Sequence, residues 1–148
     1  MLIAPVKQPI ALKIAPGFPL ALRLGAGRLA VADPASVPAG KYARAALTSL
    51  GVWDAVSSKH APSENVRAAL VLVSRGEAPL GIVYRTVALA DRGVVIVDTF
   101  PPTIHPPIVY PVALTKRASA DAGPVLSFLR GAPAKAVFAR QGFLVDVK

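Results

Sequence analysis

The sequence contains no cysteine, which excludes disulfide scaffolds, zinc–thiolate and iron–sulfur sites, and cysteine nucleophiles. Its two histidines, His60 and His105, are too few and too far apart to suggest a metal site. Acidic residues are scarce, 8 against 17 lysines and arginines. They are dispersed (Asp33, Asp54, Glu64, Glu77, Asp91, Asp98, Asp121, Asp146), so no carboxylate pair for acid–base work can be named. Aromatics make up 6% of the chain, too few for a base-stacking platform. No stretch of about 18 apolar residues runs without a charge, proline or glycine, which excludes a membrane-spanning helix. Gly-x-Ser-x-Gly, a Walker A loop and Gly-x-Gly-x-x-Gly are all missing; Gly25-Ala26-Gly27 lacks the third glycine. An enzyme is therefore the least supported class.

What is present is a strongly apolar, basic chain. Hydrophobic residues reach 53% and charged residues only 17% over 148 residues, which argues against intrinsic disorder and for a single domain with a real core. The net charge of +9 raises nucleic acid or another anion as a partner. The cations are scattered singly, with only Lys116-Arg117 adjacent, and there is no arginine-rich run or Gly-x-x-Gly clamp. Nucleic acid is therefore not expected. Met1-Leu2-Ile3-Ala4-Pro5 is too short for a secretory h-region and is interrupted by Pro5 and Lys7. As written, the chain is expected to stay in the cytoplasm where it is made.

Segment by segment, strands alternate with helices. Apolar runs at Leu2–Ala4, Ile10–Ile14 and Phe18–Leu24 are followed by a strand at Arg28–Ala32 that stops at Asp33-Pro34. Val37-Pro38-Ala39-Gly40 opens a helix through about Leu50, with Ala43, Ala46, Leu47 and Leu50 on one face and Gly51 as its C′ residue. Trp53–Val56 forms a helical turn. Ser63 is the expected N-cap of a helix over Glu64–Arg75, ended by Gly76, with Val66, Ala69, Leu70 and Val73 on its apolar face. Strands are expected at Leu80–Tyr84, at Val94–Val97 and, as an edge because of Pro111, at Pro107–Leu114. A short helix fits Thr86–Arg92, and two helices, about Ala120–Arg130 and Pro133–Gln141, close the chain. This order predicts an α/β protein with a largely parallel sheet, whose ligand would sit beyond the carboxyl ends of the strands.

Two features there could hold a ligand. The helix starts at Ala39-Gly40 and Ser63-Glu64-Asn65-Val66 leave backbone N–H groups unpaired at the positive end of a dipole, which suits an anion; equally, they are simply two capped helices. Tyr84, at the end of its strand, could donate its phenol to a ligand or leave it in solvent.

A series of segments then carries a resemblance. Leu29–Pro34, Val37-Pro38-Ala39-Gly40-Lys41-Tyr42-Ala43, Trp53-Asp54, Ala61-Pro62-Ser63-Glu64-Asn65-Val66-Arg67, Glu77-Ala78-Pro79-Leu80-Gly81-Ile82-Val83-Tyr84 and Tyr110-Pro111-Val112-Ala113 occur in order over nearly the whole chain. The chain so resembles the periplasmic molybdate-binding proteins of molybdate/tungstate ABC transporters. The resemblance implies a three-layer, periplasmic-binding-protein-like α/β lobe with a mixed, largely parallel sheet. Residues 1–115 would be the second lobe, and residues 116–148 helices that in the family pack on the first lobe. It implies a non-catalytic site without cofactor, in which the backbone N–H groups of Ala39 and Val66 and the hydroxyl of Tyr84 hold a molybdate or tungstate oxyanion. The partner would be an ABC transporter permease and the compartment the periplasm. The family's first lobe, with its serine ligands, and its secretory signal have no counterpart in the sequence, so weak oxyanion binding is expected of the isolated chain.

The sequence also departs from the pattern. Val87 stands where an acidic residue would be expected, and Thr103-Ile104 where polar residues would be. Ile10-Ala11-Leu12 and Leu20-Ala21-Leu22 are more apolar than a solvated linker. These positions are expected to add exposed apolar surface. The alternative reading is thus an engineered, self-associating domain, a C2 homo-oligomer with a vestigial site.

Overall fold

The computed structural model describes residues 1–145. The chain divides into two compact units, Met1–Pro107 and Ile108–Lys148, a division that falls ahead of the boundary after residue 115 read from the sequence.

The first unit is built on a five-stranded sheet. Its strands are β1 (Leu2–Pro5), β2 (Leu29–Ala32), β3 (His60–Ser63), β4 (Leu80–Ile82) and β5 (Val94–Asp98), in the spatial order β3-β2-β4-β1-β5. β2 is parallel to both β3 and β4, whereas β1 runs antiparallel to β4 and β5. The sheet is mixed, with a single strand opposed to the other four. Leu2, Ile3 and Ala4 are wholly buried because β1 lies inside the sheet with a strand on either side.

Alternation along the strands sorts side chains to two faces. Leu2, Ala4, Leu29, Val31, Leu80 and Ile82 face one core, with Ala43, Ala46 and Leu47 of helix α2 (Pro38–Ser49), Leu20 and Leu24 of α1 (Leu20–Leu24) and Val56 of α3 (Trp53–Val56). Ile3, Ala30, Val83 and Val94 face the other core, with Ala69, Leu70 and Val73 of α4 (Val66–Ser74) and Ala88 of α5 (Arg85–Ala88). Helices on both faces of one sheet make the three-layer α/β/α lobe. Gly51 and Gly76, at φ +70° and +76°, take the left-handed conformation that stops α2 and α4.

The segment between β1 and α1 is fastened from inside the unit. Asp98, at the end of β5, accepts from the Ile14 N–H at 2.8 Å and pairs with Lys13 at 3.2 Å. The Gly17 N–H bonds the Leu50 carbonyl at 2.8 Å, and Ile14 and Phe18 are buried.

Several sequence expectations change here. Ser63 does not cap the second crossover helix; it is the last residue of β3, opposite Ala32, and its carbonyl accepts from the Asp33 N–H at 2.8 Å. His60 begins that strand, which the sequence reading did not include. β4 ends at Ile82, so Tyr84 is the N-cap of α5 and not a strand residue. No strand forms over 107–114, a proline-rich run.

The apolar departures also resolve differently. Leu20 is fully buried, and Ile10, Leu12, Ala21 and Ile104 pack against the first core, while Val87 packs against the second. Of these positions Ala11, Leu22 and Thr103 remain exposed. Leu20, Ile10, Leu12, Ala21, Ile104 and Val87 supply core contacts, not the added exposed surface expected of them.

The second unit holds α6 (Ala122–Arg130) and α7 (Ala132–Arg140), broken apart at Gly131. Phe143 packs edge-on to Phe138 and Tyr110, with ring centroids 5.8 and 5.5 Å apart. A shallow apolar groove runs between α6 and the segment before it, lined by Val112, Leu114, Ala122, Val125, Leu126 and Leu129.

Candidate functional site: the carboxyl edge of three parallel strands

Ala39, Val66 and Tyr84 all follow the carboxyl ends of neighbouring parallel strands. The register sets Ala32 of β2 against Ser63 of β3, and Val31 of β2 against Ile82 of β4, so the three strands finish level. β2 continues through residues 33–37 into α2, β3 through Glu64-Asn65 into α4, and β4 through Val83 into Tyr84. The crossover from β2 to β3 covers one face of the sheet and the crossover from β3 to β4 the other. The chain thus changes direction at β2, the arrangement that opens a crevice at the strand ends of α/β sheets.

The local chemistry of the α2 start follows from four residues. Asp33 turns back on its own loop, accepting from the Ala35 N–H at 3.0 Å and from the Ser36 hydroxyl. These bonds, the serine's first, hold its carboxyl below the ordinary aspartate value. Val37 caps the helix in extended conformation without a side-chain bond, and Pro38 at the first position has no N–H to satisfy. Lys41 makes a bond of the helical ladder, 3.0 Å to the Val37 carbonyl. Helix geometry then leaves the Ala39 and Gly40 amides as the orphan donors of this terminus.

Gly40 is small because the end of β2 lies against it. A Cβ there would lie 2.0 Å from the Ala32 carbonyl oxygen and 2.5 Å from that of Asp33. The missing side chain brings the helix onto the end of β2; it is not a gap for a ligand.

At α4 the cap is Asn65, which the sequence reading passed over for Ser63. Its Oδ1 accepts from the Arg67 N–H at 3.0 Å and the Ala68 N–H at 2.9 Å. The Ala69 N–H bonds the Asn65 carbonyl at 3.3 Å. The cap thereby consumes the second and third amides of the helix and leaves the first, Val66. Asn and Ser cap almost equally well, so sequence alone could not choose; the strand pairing of Ser63 decides it.

Tyr84 is half-buried. Its carbonyl accepts from the Val87 and Ala88 N–H groups at 3.1 and 3.0 Å, which fixes its backbone at the start of α5. The two histidines lie at different ends of the sheet, His60 at the start of β3 and His105 beyond the end of β5. His60 stacks on Trp53 with centroids 5.8 Å apart, and His105 lies edge-on to Tyr42 at 6.1 Å. Among the described residues no group of His, Asp or Glu could hold a metal ion, and no helix is long and apolar enough to cross a membrane.

A three-layer lobe presenting helix termini at the carboxyl edge of its sheet is the architecture of solute-binding proteins, and the chain belongs to that class: residues 4–144 match the bacterial extracellular solute-binding protein family. The relatives it resembles are more particular. It is 50% identical to the molybdate-binding protein ModA of Escherichia coli over 82% of its own length and 48% of that protein's. It is 44% identical to ModA of Haemophilus influenzae over 97% and 57%. A third relative, at 36% identity over 80% and 46%, is the Bacillus subtilis lipoprotein YvgL, assigned as an ABC transporter substrate-binding protein. The chain thus spans about half the length of the curated relatives it matches.

Solved structures agree on the fold. A substrate-binding domain assigned to a molybdenum ABC transporter of Clostridium difficile superposes with a TM-score of 0.77 at 26% identity, over 95% of this chain and 60% of that one. The periplasmic molybdate-binding protein of Azotobacter vinelandii gives 0.74 at 23% identity, over 99% and 65%.

Proposed function

We propose that this chain is an oxyanion-holding lobe of an ABC transporter solute-binding protein, with molybdate or tungstate as ligand. The Ala39 and Val66 N–H groups and the Tyr84 hydroxyl are the donors, and no chemical step follows binding. The observation that carries this reading is the amide accounting at the two helix starts. Pro38 and the Lys41 bond at one, and the Asn65 cap at the other, leave Ala39, Gly40 and Val66 as donors at adjacent strand ends. The two ModA relatives, named for molybdate, support the choice of anion. Neutral amides select a tetrahedral oxyanion by size and hydrogen-bond geometry, and a helix N-terminus favours negative charge.

Three donors reach only part of a four-oxygen anion, so binding by this chain alone is weak. In the whole protein the bound anion would pass to a transporter permease from the periplasmic side. Thermal unfolding of the chain with sodium molybdate, tungstate and phosphate tests the reading. Molybdate and tungstate raise the midpoint in a concentration-dependent way, phosphate does so less, and Tyr84→Phe reduces the molybdate effect. Equal midpoints with and without molybdate contradict it.

A second reading, self-association, is favoured by the exposure of Val112, Val125 and Phe128 in the second unit, at 57%, 57% and 60%. Light scattering across a concentration series tests it: a mass rising toward that of a dimer supports it, and a constant monomer mass opposes it.

A further inference from the structure

Each of the three proposed donors is followed within two residues by a cation: Lys41 after Ala39, Arg67 after Val66 and Arg85 after Tyr84. All three therefore stand at the carboxyl edge of the same sheet. Lys41, Arg67 and Arg85 are all exposed. The ion pairs formed among the described residues, Lys13 with Asp98 and Arg75 with Glu77, involve none of them. Three carboxylates share this edge, and Asp98 at the end of β5 is taken up by Lys13 and the Ile14 N–H. Asp33 is folded back onto Ala35 and Ser36, and exposed Glu64 lies 3.5 Å from the Asn65 amide nitrogen.

We propose that Lys41, Arg67 and Arg85 form an electrostatic collar that draws divalent oxyanions to the strand ends and favours them over monovalent ones, without touching the bound ion. The inference rests on the site reading above and adds to it the charge class of the ligand. The donors themselves are neutral and distinguish a dianion from a monoanion weakly; a field from flanking cations acts in proportion to the ligand's charge. Such rim charges alter association rate and salt dependence more than contact geometry.

The opposite edge of the sheet supplies an internal control. Arg28 precedes β2, Arg75 follows α4 and Arg92 precedes β5, so these three stand at the amino end of strands about 13 Å long, beyond the Debye length at about 0.1 M salt. The test is an NMR titration of the full chain with sodium molybdate and, separately, monovalent perrhenate, followed at the Ala39 and Val66 amides. It is run in about 20 mM and about 300 mM sodium chloride. The triple variant Lys41→Gln/Arg67→Gln/Arg85→Gln is expected to lose about tenfold in molybdate affinity at low salt and less than about twofold at high salt. Perrhenate should lose distinctly less. Arg28→Gln/Arg75→Gln/Arg92→Gln, with the same change in net charge, should lose distinctly less than the first variant at low salt, where the greater distance weakens but does not screen out its field, and stay within about twofold at high salt. Equal losses in the two triple variants, or no loss in the first, overturn the collar while leaving the donor assignment standing. Absence of any shift at Ala39 and Val66 in the parent chain overturns the donor assignment and the collar with it.

Discussion

The side chain that Gly40 lacks would sit 2.0 Å from the carbonyl oxygen of Ala32. The obstacle is backbone of a fully buried strand, so it has no rotamer to change. Gly40→Ala must push the first turn of α2 off the end of β2, and the expected cost is about 3 kcal/mol in urea unfolding. Gly123 in α6 is the counterpart, since nothing lies within 4 Å of its missing Cβ. Gly123→Ala should be neutral or stabilise by roughly 0.5–1 kcal/mol.

Asn65 is expected to matter through its two amide bonds. Asn65→Ala leaves the Arg67 and Ala68 N–H groups to water and should destabilise the fold by about 1 kcal/mol, with Asn65→Ser retaining most of it. Ser63→Ala, by contrast, removes no cap. Unfolding midpoints of the three variants distinguish this assignment from a Ser63 cap, which would reverse the order.

The acid limb of stability should trace to two carboxyls. Asp98 is pulled upward by burial, but the Ile14 and Thr99 N–H groups and Lys13 outweigh this and leave it below its ordinary 3.8; Asp33 lies below 3.8 through Ser36 and Ala35. A carboxyl depressed in the fold contributes stability that is present in full above its unfolded value and lost as pH falls through the folded one. The contribution of these two carboxyls should therefore hold from neutral pH to about pH 4–5 and decline below it. Asp98→Asn should be less stable at pH 7 and show a shallower decline toward pH 2–3, as measured by urea midpoints across the series.

Tyr84→Phe removes one hydroxyl from a half-buried ring and leaves the capping carbonyl in place. The expected result is an unchanged fold by circular dichroism and about tenfold weaker molybdate binding, the scale of one hydrogen bond to a charged group.

The crossover helices were the most legible part of the sequence. Ala43, Ala46 and Leu47 repeat at helical spacing, Val66, Ala69, Leu70 and Val73 do likewise, and Gly51 and Gly76 stop both helices in the left-handed region. Two strands were not legible as strands. Leu2–Pro5 is uniformly apolar because it is buried on both faces, which erases the alternation that identifies a strand. His60-Ala61-Pro62-Ser63 has poor strand propensity and survives at the sheet edge, where a proline is tolerated. That missed strand moved the α4 cap two residues, from Ser63 to Asn65. Val87 and Ile104 misled for a related reason: burial of a single apolar side chain depends on contacts distant in sequence, which no local pattern reports. The helix starts as places of unpaired amides were readable from proline and glycine placement, but which amide stays unpaired required the cap geometry.

The most direct test of the account is anomalous diffraction from crystals of the chain soaked in sodium molybdate. The account predicts a molybdenum peak whose oxygens accept from both the Ala39 and Val66 N–H groups at about 2.8–3.0 Å, with the Tyr84 hydroxyl turned toward it. A peak held elsewhere, or the two amides facing separate ions, would contradict it.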